Sequence, residues 1–284
     1  MVFAHGYLGF NVLGPIHYFN AIGPILQAAG FAQVVFTDVA PKGSIQDRSA
    51  ELARQIKDRF GAQRVHVIAH SMGGLDARYL IAQGNANIAS LSSLGTPFRG
   101  TLVADIAIDP ARLEKVSAPT LIAAISRYEA QFLIESPFEF ATQTHFALTE
   151  LRSAVQGLAG GNYSELASYF RQLFSLEDQA LSDLTTENCR RMFPEDEHDL
   201  RGLPTFSYAG VTVPSRVNPA LTAAAILLDA ASEQNDGLVP LASAKLKNFG
   251  GTVNTDHLGL IGWSPTDVTS MYRQIAASLS ALHE

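Results

Sequence analysis

Over the first hundred residues, short β-rich apolar runs alternate with longer stretches whose apolar residues recur every three or four positions. That alternation is the pattern of parallel β-α-β winding. Val2 to Ala4 reads as a strand that breaks at His5-Gly6, and Ile16, Phe19, Ile22 and Leu26 then fall at helical spacing up to a capping Gly30. Val34-Val35-Phe36 returns as strand. Ile45, Leu52, Ile56 and Phe60 mark a second helix between a Ser44 cap and Gly61. Val65 to Ala69 is a strand, Gly73 to Ala82 a helix, and Ser90 to Leu94 a further strand.

From Thr101 to about Met192 the β signal fades. Helical stretches take over, carrying Tyr128, Phe132, Phe138, Phe140, Phe146, Tyr163, Tyr169, Phe170 and Phe174 and punctuated at Pro110, Pro119, Pro137 and Gly157-Gly160-Gly161. Strand character resumes at Thr205 to Val211 and at Thr252-Val253, with a helix-like Ala220 to Ala231 between them and a closing amphipathic helix from Asp267 to Leu282. The expected architecture is α/β: a mostly parallel central sheet flanked by helices, built from residues 1–100 and 193–284, with residues 101–192 inserted as a helical cap. Aromatic residues at helical spacing either line a groove or pack the cap onto the core.

The composition narrows the classes of function. Of 284 residues 47% are hydrophobic and 17% charged, enough apolar material for a large core. Twenty Lys and Arg against 27 Asp and Glu leave a net charge of −7, which gives no electrostatic reason for a nucleic-acid partner. Cys189 is the only cysteine, so no intrachain disulfide forms, and the thiol is a small core or surface filler. Val2 enters a strand at once, leaving no room for a signal peptide; the expectation is a cytoplasmic protein if the chain is whole and an exported one if it is a trimmed mature form. The longest apolar run, Ala220 to Leu228, is too short to span a bilayer.

The sharpest chemical signal is Ala69-His70-Ser71-Met72-Gly73-Gly74, directly after an apolar strand and directly before a helix. A nucleophile elbow needs this context, because the serine sits on a strained turn that only small neighbours permit; Ala69 stands where the motif has its first glycine. A serine hydroxyl becomes nucleophilic when an imidazole takes its proton, and the imidazole needs a carboxylate to orient it, in the chain order Ser, acid, His. Among the later histidines, His283 adjoins the C-terminus and His198 lies in the polar run Glu195 to Asp199, whereas His257 follows the late strand where a loop at the sheet's edge would begin. For the acid, Asp236 in Asn235-Asp236-Gly237 is favoured, although Asp-Gly also simply makes a turn. Asp229 reads as a helix-edge residue, and Asp256, adjacent to His257, would point to the other side of an extended segment. The loop His5-Gly6-Tyr7-Leu8-Gly9 and the start of the helix after Ser71 offer the backbone N–H groups of Tyr7 and Met72 to an oxyanion. His5 is a candidate loop brace, His70 a candidate for the site entrance and His66 a packed strand residue. No G-x-G-x-x-G follows the first strand, which argues against a dinucleotide-binding protein.

The segments Ala4 to Phe10, Val67 to Gly74, Gly95-Thr96-Pro97-Phe98-Arg99-Gly100 and Asn235 to Val239 together resemble the bacterial true lipases of the Pseudomonas and Burkholderia type, densely over residues 2–105 and sparsely near the C-terminus. The resemblance implies an α/β-hydrolase fold with an inserted lid, a triad of Ser71, Asp236 and His257, and Tyr7 and Met72 around the oxyanion. It departs in two respects: where that family holds a structural calcium, an acidic residue and a glutamine are replaced by Gly259 and Trp263, and the disulfide that its members often carry cannot form with Cys189 alone. A calcium-free relative with no metal and no cofactor is therefore expected. The implied activity is hydrolysis of acylglycerols or similar hydrophobic esters, with transient contact at a lipid or polymer surface. A polyester depolymerase, esterase or lactonase is the alternative on the same fold, and a non-catalytic binding protein the alternative outside it.

Overall fold

A computed structural model describes the chain apart from residues 14–15, 21, 32, 85–86, 110, 113–115, 136–140, 157–163, 174–178 and 283–284, and gives backbone alone for 13, 131–135, 141–147, 156, 164, 166–167, 171 and 173. The candidate cap residues Phe138, Phe140, Tyr163 and Phe174 and the candidate base His283 lie outside the described residues, as do the side chains of Phe132 and Phe146.

Eight strands are described: β1 (Val2–Ala4), β2 (Val12–Leu13), β3 (Ile16–His17), β4 (Val35–Phe36), β5 (Val65–His70), β6 (Ile88–Leu94), β7 (Thr205–Gly210) and β8 (Phe249–Val253). Six of them form one sheet in the order β4-β1-β5-β6-β7-β8, every pairing parallel. β2 and β3 form a separate antiparallel hairpin. The chain runs outward from β1 to β4 and then returns to lay β5 on the other side of β1. That reversal opens a crevice at the carboxyl ends of β1 and β5, where ligands bind in open parallel sheets.

The helices are α1 (Ile22–Ala28), α2 (Ile45–Phe60), α3 (Met72–Gln83), α4 (Leu102–Ile108), α5 (Ala118–Glu135), α6 (Ala141–Gln156), α7 (Ser164–Leu173), α8 (Gln179–Asp183), α9 (Thr186–Met192), α10 (Thr222–Ala230), α11 (Leu241–Ala244) and α12 (Thr269–Ser280). α2 begins where the Ser44 side chain accepts the Asp47 N–H at 3.1 Å, and ends at Gly61 with φ +56°. All six residues of β5 are buried. Its side chains alternate between two faces: Val65, Val67 and Ala69 join Leu52, Ile56 and Leu75 on one, and Ile68 joins Ile22, Leu26, Met271 and Ile275 on the other.

The segment expected to be a single helix from Ile16 to Gly30 is divided. Ile16 and His17 pair with Val12 and Leu13, and the helix starts only at Ile22. The apolar spacing is real, because Phe19, Ile22 and Leu26 are all buried, but Ile16 belongs to the exposed hairpin.

Between β6 and β7 the described structure is helical throughout. Ile106 of α4, Leu121 and Ile125 of α5, Leu151 of α6 and Phe170 of α7 share one apolar cluster with Ile226 and Leu227 of α10. α10 thus packs with helices that lie before β7 in the chain, while Ala180 of α8 and Cys189 of α9 pack on the sheet's own cluster. The Cys189 thiol, wholly buried and 3.3 Å from the Asp183 carbonyl oxygen, is pushed up to about 12 by burial. Among the described residues no helix is long and apolar enough to cross a membrane.

α3 sits hard against β1. A methyl group at Gly73 would lie 2.6 Å from the carbonyl oxygens of both Ala4 and His5. Since backbone cannot move aside cheaply, Gly73→Ala is expected to cost about 1–3 kcal/mol of stability, read as a lowered urea midpoint with an unchanged slope.

Candidate active site

β5 runs into α3 through Ser71, whose backbone has φ +55° and ψ −131°, a conformation L-residues avoid. The turn is held by its own surroundings. Ser71 N–H donates to the Leu94 carbonyl at 2.9 Å, and the Ser71 carbonyl accepts the Gly74 N–H at 3.0 Å. Gly6 lies so close that a methyl there would meet the Ser71 Cβ at 2.6 Å. The serine is left 8% exposed, on the wall of a cavity of about 390 Å³.

His257 reaches the same cavity wall from the loop after β8. Its Nδ1 lies 2.7 Å from Oδ2 of Asp236, and both side chains are buried. A carboxylate can only accept, so Nδ1 carries the proton and Nε2 is left as the basic nitrogen. The turn between α10 and α11 shapes this pair: Oδ1 of Asp236 accepts the N–H groups of Leu238 and Val239 at 3.0 and 2.7 Å, and the Asp236 carbonyl accepts the His257 N–H at 2.7 Å. Asp236 therefore makes the turn with one oxygen and holds the imidazole with the other.

The competing candidates do other work. Asp256 accepts the Asn218 and Gly259 N–H groups, each at 2.7 Å, and so braces the loop. Asp229 faces Arg127 at the surface. His198 pairs with Asp196, both well exposed. His66 is a buried strand residue 2.7 Å from the Ser90 hydroxyl. His5 bonds the Gly6 carbonyl through Nδ1 at 2.9 Å.

The loop after β1 is oriented by a residue the hydrophobic pattern alone did not single out. Arg48 of α2, fully buried, donates to the carbonyls of His5 at 2.9 Å and Gly6 at 3.3 Å, and also to that of Ala40, while pairing with Asp76 of α3 at 2.8 Å. In a trans peptide the C=O and the following N–H point opposite ways. With the Gly6 carbonyl turned to Arg48, the Tyr7 N–H faces away from it. Met72, as the first residue of α3, has an N–H with no acceptor inside its own helix. The signal was present in the sequence: residue 48 falls on the stripe defined by Ile45, Leu52 and Ile56, where a charged side chain has to find a buried partner.

A second buried group unites the site. His70 Nδ1 is 2.7 Å from the Tyr18 hydroxyl, and its Nε2 is 3.0 Å from the His257 carbonyl oxygen. His70 lines the cavity, as the sequence suggested, but is almost wholly buried. The remaining walls are mostly apolar, with Val103 and Ala104 of α4, Leu181 and Leu184, Leu221, Leu238 and Ile261. Among the described residues no three His, Cys, Asp or Glu side chains gather as a metal site.

Residues 2–192 match the profile of the alpha/beta hydrolase fold family. The chain belongs to that family. This α/β hydrolase is 28% identical over 292 aligned positions to a triacylglycerol lipase of Vibrio cholerae, covering 98% of this chain and 86% of that one. It is 34% identical over 134 positions to a triacylglycerol lipase of Pseudomonas fragi, spanning 45% of each. Among solved structures, the mature form of a Bacillus licheniformis lipase superimposes with a TM-score of 0.62 at 19% identity, covering 97% of this chain and 90% of the other, which supports the fold.

Burial lowers the proton affinity of His5, and lowers that of His70 much further, with the neighbouring His257 adding to the effect. Below the ordinary value of 6.5 the unfolded chain takes up protons that these two refuse when folded, so they remove stability as pH falls. Asp76, lifted to about 7 mainly by burial, acts in the opposite sense, so the informative quantity is a difference between proteins. His70→Gln is expected to lose less Tm than the parent between pH 7.5 and about 5.5. Equal losses in the two proteins, measured by calorimetry, would contradict the assignment.

Proposed function

We propose that this α/β hydrolase is a serine carboxylic-ester hydrolase that cleaves acylglycerols or similar hydrophobic esters through an acyl-enzyme on Ser71. The observation carrying this reading is the meeting of Ser71 and the Asp236-held His257 on the wall of one apolar cavity. In the first half-reaction His257 Nε2 takes the Ser71 proton as Oγ bonds to the ester carbonyl carbon, and Asp236 remains ionised, stabilising the imidazolium. The Tyr7 and Met72 N–H groups receive the resulting oxyanion. His257 then returns the proton to the departing alcohol, and a water molecule activated by the same nitrogen releases the acid and restores Ser71.

The cavity accounts for the acyl part. Its described lining is mainly aliphatic and aromatic and includes no Asp, Glu, Lys or Arg, which suits a hydrocarbon chain. Residues 101–192 act as the cap over it, with α4 and α8 supplying part of its wall.

The rim points to a lipid surface as the place where substrate is met. Leu8, Val12, Ile16 and Trp263 are 43, 47, 40 and 41% exposed, and Leu8 and Trp263 also line the cavity. The segments that carry them hold no Asp, Glu, Lys or Arg over residues 1–37 and 257–266, although 17% of the chain is charged. An uncharged apolar rim on an acidic protein fits an electrically neutral lipid surface. Trp263 is held in place by its Nε1–H, which donates to the Tyr18 carbonyl at 2.7 Å.

Replacing Ser71 with alanine should lower the turnover of nitrophenyl butyrate by about 10⁴-fold or more with Tm preserved, and an alkyl phosphonate should label Ser71 alone in the parent enzyme. A Ser71→Ala enzyme that still turns over at the parental rate would end the proposal. The chain's single tryptophan reports on the rim. In the Ser71→Ala protein, vesicles of brominated phosphatidylcholine should blue-shift and quench Trp263, and Ile16→Asp should weaken that response about tenfold or more while leaving hydrolysis of a soluble short ester intact. Unchanged emission with vesicles would assign the enzyme to dissolved esters instead.

A further inference from the structure

We propose that Tyr18 and His70 are positioning residues that form a proton-ordered strut between the oxyanion loop and the loop carrying the catalytic base. The proposal rests on the reading of Ser71 and His257 given above, and concerns how their geometry is maintained.

The direction of every proton in the strut follows from the acceptors. The His257 carbonyl oxygen, 3.0 Å from His70 Nε2, can only accept, so Nε2 must carry a proton. Gly6 N–H, 3.1 Å from the Tyr18 hydroxyl oxygen, can only donate. With its single proton on Nε2 and the ring kept neutral by burial, His70 has a bare Nδ1 that accepts the Tyr18 hydroxyl proton at 2.7 Å, while the hydroxyl oxygen accepts from Gly6. The path then continues, because His257 N–H donates to the Asp236 carbonyl at 2.7 Å. One unbroken run of donors and acceptors thus joins Gly6, beside the Tyr7 N–H, to the backbone of both His257 and Asp236.

Two physical features make this arrangement more than local packing. Both side chains are buried, so a polar atom left without its partner is costly, and the alternative tautomer of His70 would set a bare Nε2 against the His257 carbonyl oxygen, acceptor against acceptor. The rings of His70 and His257 lie 4.5 Å apart between centroids. During acylation His257 becomes an imidazolium, and a protonated His70 at that distance would oppose it. Burial keeps His70 neutral and Tyr18 protonated, so the strut sets the position of the base without competing for its charge. The other titratable groups acting on His70 are His257 and His5, neither of which is a carboxylate that could stabilise a cation there.

The strut has a spectroscopic signature that needs no variant. In protein labelled with ¹⁵N-histidine, long-range ¹H–¹⁵N correlation should show His70 as the neutral tautomer protonated at Nε2; protonation at Nδ1, or at both nitrogens near pH 7, would overturn the proposal. Tyr18→Phe keeps the ring and removes the hydroxyl. It should reduce kcat on a soluble ester and the rate of phosphonate inactivation together, by about 10- to 100-fold, with KM nearly unchanged. His70→Gln, which retains an N–H for the His257 carbonyl, should recover a substantial part of the kcat that His70→Leu loses. Parental kcat in Tyr18→Phe, or equal kcat in the Gln and Leu variants, would reduce the pair to structural filling. These results are independent of the Ser71→Ala outcome: an active Ser71→Ala enzyme would defeat the functional reading, whereas an inactive one combined with a fully active Tyr18→Phe would defeat only the strut.

Discussion

The geometry of the site depends on one backbone conformation, the positive φ of Ser71 where β5 turns into α3. A residue with a Cβ pays about 1–3 kcal/mol to stay there, and the turn persists because several contacts over-determine it. The Leu94 carbonyl fixes the Ser71 N–H, and Gly6, Gly73 and Gly74 let backbone and side chains approach closer than any Cβ would allow. The consequence is a hydroxyl projected away from the sheet at the point where a helix begins, with the first N–H of that helix beside it.

The sheet order explains why distant segments meet at this point. β1 and β5 are neighbours, so the loops that follow them share one edge of the sheet, and β7 and β8 deliver Asp236 and His257 to the same edge further along. Loops alone would leave such groups loosely placed. Here Arg48 clamps the carbonyls of the first loop, and the carboxylate of Asp236 fixes a turn and an imidazole at once. The polar groups are buried, yet they are largely paired with one another, which limits the desolvation cost of setting them in an apolar core.

Much of this was legible in the sequence because local pattern and tertiary role coincide. Ser71 lies between a wholly buried strand and a helix, and the Ser44 cap and Gly61 stop mark α2 to the residue. The division of residues 16–30 was not legible, since Ile16, Phe19, Ile22 and Leu26 satisfy a helical period whether or not the first of them is helical. Nor was the allegiance of α10: apart from Thr222 and Asp229 its sequence is apolar, which states that it is buried but not against what. Tyr18 was invisible for another reason. A hydroxyl that joins residues 6, 70 and 257 leaves no periodic trace, and only the fold brings its partners together.

The burial of Cys189 has a practical corollary. Its thiol is buried in the sheet's apolar cluster, and burial raises its proton affinity, so maleimides and similar reagents are expected to find no reactive sulfur on the folded protein. A cysteine introduced at an exposed position such as Ile122 on α5 would then be the single attachment point for a dye or spin label. Such a reporter on α5 would test whether that helix moves in the otherwise native chain, without first removing the natural thiol.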